Sequence, residues 1–167
     1  MMQHQSNWEL AQINIGRMVA PIDSPVVAGF VDNLERINAL ADSAPGFVWR
    51  LQSDAGDATE FRIFDADTLV NMSVWKDVDS LHHFVYRTAH VEIMRRRKEW
   101  FELMRDAYQT LWWVPQGHKP GLEEAGQRLE RLRESGPSPE AFTFKKAFPP
   151  PDAEQSPAAF DDSCPAY

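Results

Sequence analysis

Two side chains suited to acid–base or anion-binding chemistry lie on the apolar stripe of the longest predicted helix. The sequence predicts this helix over about residues 90–108. At about 100° per residue, His90 and Arg97 fall within an arc of roughly 80° that is otherwise apolar or aromatic. The stripe contains His90, Met94, Arg97, Phe101, Met104 and Tyr108. A histidine and an arginine are therefore expected where a helix normally packs against its core.

These two residues allow a functional and a structural interpretation. In the first, they face a cavity between helix and sheet. His90 then carries a proton or binds a metal or haem, and Arg97 holds an anionic or carbonyl oxygen. In the second, His90 packs at the helix start and Arg97 forms an ion pair, because a buried guanidinium is costly without a partner. The possible partners are Asp65, Asp67 and Glu102.

The adjacent tryptophans Trp112 and Trp113 lie in a predicted strand, so their side chains face opposite sides. One must pack beneath the helices and the other must cover the opposite face. Both are expected to belong to the core or to a dimer interface. The alternative is that they form aromatic walls of a ligand pocket, together with Met94 and Phe101.

Other motifs of known chemistry are missing from the sequence. His82 and His83 are adjacent on a helix and diverge by about 100°, so no metal site is predicted. There is no glycine-rich phosphate loop and no G-x-S-x-G motif, which argues against nucleotide-dependent enzymes and serine hydrolases. His118 lies in a loop and is expected to be solvated.

The elements that must position these residues follow the order strand, helix, strand, strand, helix, strand. The predicted strands cover residues 8–15, 47–52, 69–75 and 110–114. Helices are predicted after the caps Ser24 and Asp77 or Asp79, and over residues 90–108 and 122–134. Residues 53–68 are expected to form a turn or a weak hairpin. An extended arm carries Phe142 and Phe144.

This order predicts an α+β, ferredoxin-like fold, in which helices cover one face of an antiparallel sheet. The first strand alternates between an apolar side and a wet or pocket-facing side that carries Leu10, Gln12 and Asn14. A sheet covered on one face leaves the other bare, and such faces usually close by dimerisation. We therefore expect a homodimer.

Composition narrows the class of protein. The chain has 167 residues and a net charge of -8, which argues against nucleic-acid and anionic-membrane binding. It has no apolar run long enough to span a membrane and no signal peptide, so a cytoplasmic location is expected. We predict an extension over residues 1–7, a domain over 8–148 and a Pro-rich acidic tail over 149–167. The tail holds the single cysteine, Cys164.

Four segments together resemble a known family. They are WKDVDSLHHFVYRTAH, RRRKEWFELM, LWWVPQGHKPGLEEAGQRLERL and GPSPEAFTFKKAFP. They resemble a domain-of-unknown-function family of the dimeric α+β barrel superfamily, which also contains antibiotic-biosynthesis monooxygenases. The resemblance covers about residues 8–148 and implies a ferredoxin-like protomer whose sheets pair into a barrel. It implies no reaction and no residue roles, because the superfamily includes cofactor-free oxygenases, haem enzymes, isomerases and proteins without known activity.

Three functions remain open. The first is a cofactor-independent, monooxygenase-like enzyme that binds an aromatic or polyketide-like molecule between helix and sheet. His90 and Arg97 are its expected catalytic residues. The second is a haem enzyme with His90 as axial ligand. The third is a dimer that binds a small molecule or supports a partner without catalysis.

Overall fold

The computed structural model describes residues 6–52 and 67–152. The strands in these ranges are β1 (Trp8–Arg17), β2 (Phe47–Arg50), β3 (Thr68–Trp75) and β4 (Gln109–Pro115). The α-helices are α1 (Ala28–Asp42), α2 (Val78–Arg87), α3 (His90–Arg95) and α4 (Leu122–Ser135). Short 3-10 helices cover Pro25–Val27 and Arg97–Glu99.

The strands form one antiparallel sheet in the order β2-β3-β1-β4. In the centre of this sheet, Leu10 of β1 pairs with Trp75 of β3 and with Trp113 of β4. Helix α1 connects β1 to β2, and helices α2 and α3 connect β3 to β4. This connectivity confirms the predicted ferredoxin-like α+β fold.

Both predicted caps are used, one of them by the 3-10 turn that leads into α1. The hydroxyl of Ser24 accepts a hydrogen bond from the backbone N–H of Val26, and Pro25 is the first residue of that turn, which α1 follows at Ala28. The carboxylate of Asp77 accepts from the backbone N–H of Ser80 at 2.8 Å and caps α2 directly.

The prediction of one helix over residues 90–108 is wrong. Helix α3 ends at Arg95, and after one 3-10 turn the chain extends beside the end of β1. There the N–H of Val19 donates to the carbonyl of Trp100 at 2.9 Å, and Met18 pairs with Phe101 as an isolated bridge. Pairing with a strand satisfies the backbone groups that a longer helix would have satisfied internally.

The expected bare face of the sheet is covered within the same chain. The side chains of Ala11, Ile13 and Trp112 on this face are fully buried. Ala125 and Leu129 of α4 belong to the same apolar cluster. The two crossovers thus lie on one face as predicted, and the extra C-terminal helix packs on the other.

The predicted C-terminal arm contributes one bridge to the sheet. Phe142 and Leu111 exchange backbone hydrogen bonds of 2.8 and 2.9 Å. This pairing covers the outer edge of β4, which would otherwise expose unpaired backbone groups. The predicted turn after β2 and most of the predicted tail, including Cys164, lie outside the described residues.

In residues 6–52 and 67–152, the longest apolar helical stretch falls short of what a membrane crossing requires.

Candidate functional site

A cavity of about 190 Å³ lies between the crossover helices and the sheet face that carries Gln12 and Ser73. Helices α1, α2 and α3 form its roof, and β1 and β3 form its floor. The roof includes Phe30, Leu34, Ile37, Phe84, Ile93 and Met94. The floor includes Gln12, Asn14, Gly16, Leu69, Asn71 and Ser73. The helix side is mainly apolar but includes Asn33 and Asn38, and the sheet side carries amides and a hydroxyl.

The polar floor is a hydrogen-bonded network across β1 and β3. The amide nitrogen of Gln12 donates to Oδ1 of Asn71 at 2.7 Å and to Oγ of Ser73 at 2.8 Å. The amide nitrogen of Asn14 donates to Oε1 of Gln12 and to Oδ1 of Asn71, both at 3.3 Å. Gln12 and Ser73 are 2% and 7% exposed, whereas Asn14 is half-buried and Asn71 is exposed, so the network runs from the interior to the surface. Its mutual bonds offset the cost of burying the amides.

His90 stands at the start of α3 and lines the cavity. Its Nδ1 lies 3.3 Å from the carbonyl oxygen of Val85. Because a carbonyl only accepts, this contact assigns the proton of the neutral ring to Nδ1 and leaves Nε2 unprotonated. Burial lowers the pKa of His90 to about 4, despite the opposing effect of the Val85 bond. At neutral pH the ring is an uncharged proton acceptor.

Arg97 begins the 3-10 turn that follows α3 and also lines the cavity. Its Nη2 donates to the carbonyl oxygen of Ile15 at 2.9 Å. The guanidinium carbon lies 4.9 Å from the ring centre of Phe101 and 4.8 Å from that of Tyr108. These contacts hold the cation in one place at the end of β1.

Gly16 makes the approach of this arginine to β1 possible. A Cβ at this position would lie 2.6 Å from Cδ1 of Phe101 and 3.1 Å from Nη2 of Arg97. Only a residue without a side chain leaves room for both groups.

The structure places four of the six predicted site residues around the cavity. His90, Met94, Arg97 and Phe101 line it. Trp112 lies on the opposite sheet face, where its indole N–H donates to Glu124 at 3.1 Å. Trp113 packs against the C-terminal arm, and its N–H donates to the carbonyl of Phe148 at 2.9 Å. Neither Trp112 nor Trp113 is among the residues that line this cavity.

Two of the acidic residues suggested as ion-pair partners of Arg97 are not seen to pair with it. Glu102 pairs with Arg17 at 3.6 Å, and Asp65 lies outside the described residues. The second arginine at the cavity, Arg50, forms a paired contact with Asp42, with Nε and Oδ1 2.7 Å apart. Among the lining residues that the structure describes there is no Asp or Glu.

Sequence analysis did not single out the residues of the floor. It placed Gln12 and Asn14 on a wet or pocket-facing side of β1 but gave no role to Asn71 and Ser73 of β3. The available signal was that two strands carry polar residues at period 2, and the register pairs Gln12 with Ser73 and Asn14 with Asn71.

Two further histidines within residues 6–52 and 67–152 contact other side chains. His118, which was expected to be solvated, contacts the carboxylate of Glu124 at 2.7 Å, and His82 packs against Tyr86. In the described part of the chain, no three His, Cys, Asp or Glu residues are grouped as metal ligands.

Solved structures similar to this chain are distant relatives. PA3566 from Pseudomonas aeruginosa is 14% identical and covers 70% of this chain and 100% of its own, with a TM-score of 0.46. The cofactor-independent oxygenase SnoaB from Streptomyces nogalater, in a mutant form, is 14% identical over 68% and 97%, with a TM-score of 0.43. NE2512, a protein of unknown function from Nitrosomonas europaea, is 13% identical over 69% and 95%, with a TM-score of 0.43.

No curated protein matches the sequence. One family model does, and it spans nearly the whole described chain, from residue 9 to residue 159. With that match, the chain belongs to the family described as Domain of unknown function (DUF3291).

Proposed function

We propose that the protein binds a small organic molecule in the cavity between its crossover helices and its sheet. The supporting observation is the buried polar floor. A helix–sheet interface is normally filled by apolar side chains, whereas here Gln12 and Ser73 are buried and face open space beneath a mainly apolar roof. Apolar walls with a few fixed polar groups are typical of ligand pockets.

The size of the cavity limits the ligand to about one ring. An engineered cavity of about 150 Å³ holds benzene, whereas pockets for drug-sized ligands occupy roughly 300–1,000 Å³. The cavity of about 190 Å³ suits a substituted single ring. Of the two predicted substrate classes, a small aromatic molecule therefore fits this cavity, and a multi-ring polyketide is too large for it.

Acetophenone, followed by NMR on labelled protein, tests the proposed binding. We expect saturable shifts for cavity residues, and loss of those shifts in Leu34→Trp, which fills the space beneath α1. The matched control is Leu103→Trp, because Leu103 is 83% exposed. Equal binding by both variants, or shifts confined to another surface, would overturn the proposal.

Catalysis is a second candidate, supported by the neutral ring of His90. We propose that Nε2 takes a proton from an acidic C–H group of the ligand and that Arg97 holds the resulting oxyanion, while Met94 and Phe101 contact the ring. A carbanion formed in this way can react with dioxygen without a cofactor. For a CH₂ group the balanced reaction is CH₂ + O₂ → C=O + H₂O, with dioxygen as the oxidant.

The catalytic proposal is tested by exchange of the benzylic CH₂ protons of phenylacetone in D₂O. General-base catalysis typically contributes on the order of 100- to 10,000-fold. We expect His90→Asn to lose a factor near the lower end of this range, because a ring with a pKa of about 4 is a weak base and the side-chain amide that replaces it has no Nε2. The control is His83→Asn at an exposed position. No exchange above the solvent rate, or equal rates in wild type and His90→Asn, would refute the role of His90. Consumption of one O₂ per phenylacetone would extend the reaction to oxygenation.

The haem alternative does not fit the cavity. A haem macrocycle is larger than most drug-sized ligands, whose pockets occupy roughly 300–1,000 Å³, and the space beside His90 is about 190 Å³. An unprotonated Nε2 is the right donor for haem iron, but the described residues leave no room for the ring. No step is assigned to haem.

The homodimer stays a prediction, and it requires a surface other than the sheet face covered by α4. The large apolar side chains exposed in the described residues are Val19, Val26, Val48 and Leu103. Sedimentation equilibrium provides the test. The mass of two chains supports a homodimer, and the mass of one chain at every concentration contradicts it.

A further inference from the structure

The hydroxyl of Ser73 has its acceptor capacity filled from two sides. Its Oγ accepts from the amide nitrogen of Gln12 at 2.8 Å and from the indole N–H of Trp75 at 2.9 Å. A serine hydroxyl has two lone pairs and one proton to donate. Because both lone pairs are occupied, the hydroxyl can only donate a further hydrogen bond. None of the described residues accepts one from it.

Both donors have further contacts in the structure. The amide nitrogen of Gln12 donates to Asn71 as well as to Ser73, and its oxygen accepts from Asn14. The indole of Trp75 stacks on Phe84, with ring centres 5.1 Å apart, so this N–H is held toward Ser73.

The position of Ser73 makes this donor relevant to a ligand. The residue is 7% exposed and lines the cavity from its floor. A buried donor without an acceptor costs free energy, and the adjacent cavity has space for the missing partner. His90 contacts Phe84 at 5.0 Å between ring centres, so the proposed proton acceptor belongs to the same wall.

We infer that Ser73 is a specificity-determining residue that selects a ligand carrying an acceptor oxygen, such as a ketone or an enolate. This inference rests on the proposed function, because it assigns the ligand class of the same cavity. A ligand that presents only an N–H or O–H donor to Ser73 would leave two donors facing each other.

Two probes of nearly the same shape test the inference. Acetophenone carries a carbonyl oxygen, and ethylbenzene replaces it by hydrogen. The measured quantity is the ratio of the Kd of ethylbenzene to that of acetophenone, by NMR titration or calorimetry. One net hydrogen bond corresponds to a ratio change of about five- to tenfold. We expect Ser73→Ala to lower the ratio by this factor, Ser73→Thr to retain it, and Ser135→Ala, an exposed serine, to leave it unchanged.

Ser73→Ala leaves the donors of Gln12 and Trp75 without an acceptor and can impair folding. Ser73→Cys is the second variant, since sulfur accepts weakly from both donors but is a poor donor itself. A ratio lowered in Ser73→Cys supports the inference, whether or not Ser73→Ala folds. A ratio within twofold of wild type in Ser73→Cys overturns it while acetophenone binding still stands. Absence of binding by both probes in the wild type would overturn the inference and the proposed function together.

Discussion

Nη2 of Arg97 lies 2.9 Å from the backbone carbonyl oxygen of Ile15, a residue 82 positions earlier in the sequence. This bond ties the turn after α3 to the end of β1, on the floor side of the cavity. The same guanidinium contacts the rings of Phe101 and Tyr108. Arg97 therefore joins a helix end, a strand and an aromatic pair at one edge of the candidate site.

Substitution of Arg97 by methionine separates its packing from its hydrogen bonding. Methionine retains an unbranched side chain beside the two rings but cannot donate to Ile15. Hydrogen bonds to charged groups contribute about 1.5–3 kcal/mol, so we expect a loss of that order in the free energy of unfolding, measured with urea. Arg95→Met, at an exposed position of α3, is the control. Wild-type stability in Arg97→Met would show that the bond contributes nothing.

Gly16→Ala is predicted to displace both Phe101 and Arg97. The new methyl group would meet Cδ1 of Phe101 at 2.6 Å, and this ring is only 8% exposed, so it has little space to move. Overpacking of this kind typically costs about 1–3 kcal/mol. The control is Gly121→Ala, where a Cβ meets open space. We expect thermal unfolding to show a larger loss for Gly16→Ala, together with weaker acetophenone binding. Equal losses in the two variants would contradict this account.

The fold was predictable where local patterns and tertiary packing agree. The alternation of β1 and the caps at Ser24 and Asp77 set strand and helix starts that the structure retains. The predicted helix from His90 to Tyr108 is wrong because the apolar spacing in the sequence continues past Arg95. In the structure the chain instead pairs with the end of β1, through Met18 and Phe101. Such a long-range pairing leaves no local signal in the sequence.

The site was predictable only in part for a related reason. His90 and Arg97 both reach the cavity, but they do so from a short helix and the turn after it rather than from one stripe. Period-2 alternation shows that Trp112 and Trp113 face apart, and it does not show which side holds a cavity. Helix α4 covers the sheet face opposite the cavity. Its amphipathic pattern predicts a buried side but does not indicate which surface that side packs against.

Haem titration tests the cavity volume in a different way. Because the space beside His90 is too small for the macrocycle, we expect hemin to give no saturable Soret shift at one equivalent per chain. His90→Ala serves as the matched sample, since it removes the only nitrogen proposed as a ligand. A saturable Soret band in wild type that disappears in His90→Ala would contradict the volume argument and restore the haem alternative.

The lowered pKa of His90 predicts how stability depends on pH. The folded-state pKa is about 4, against about 6.5 for an unfolded histidine. Between these values the unfolded chain binds more protons than the folded one, so stability rises with pH across this window and is fully present above it. At 1.36 kcal/mol per pKa unit, the loss of stability on acidification is at most about 3.4 kcal/mol. We expect a smaller loss, because the His90 side chain is only half-buried.

His90→Asn isolates this contribution from the carboxylates that titrate in the same range. The asparagine amide can still donate to Val85 but does not titrate. We measure the free energy of unfolding of both proteins with urea. The value for wild type minus the value for His90→Asn is expected to fall as the pH is lowered from 7 to 4. Because the pKa of His90 is lowered by desolvation, the wild type alone carries the penalty of protonating a buried ring. A stability difference that stays constant from pH 4 to 7 would mean that the ring titrates as freely when folded as when unfolded, and that it is not the neutral proton acceptor proposed for this site.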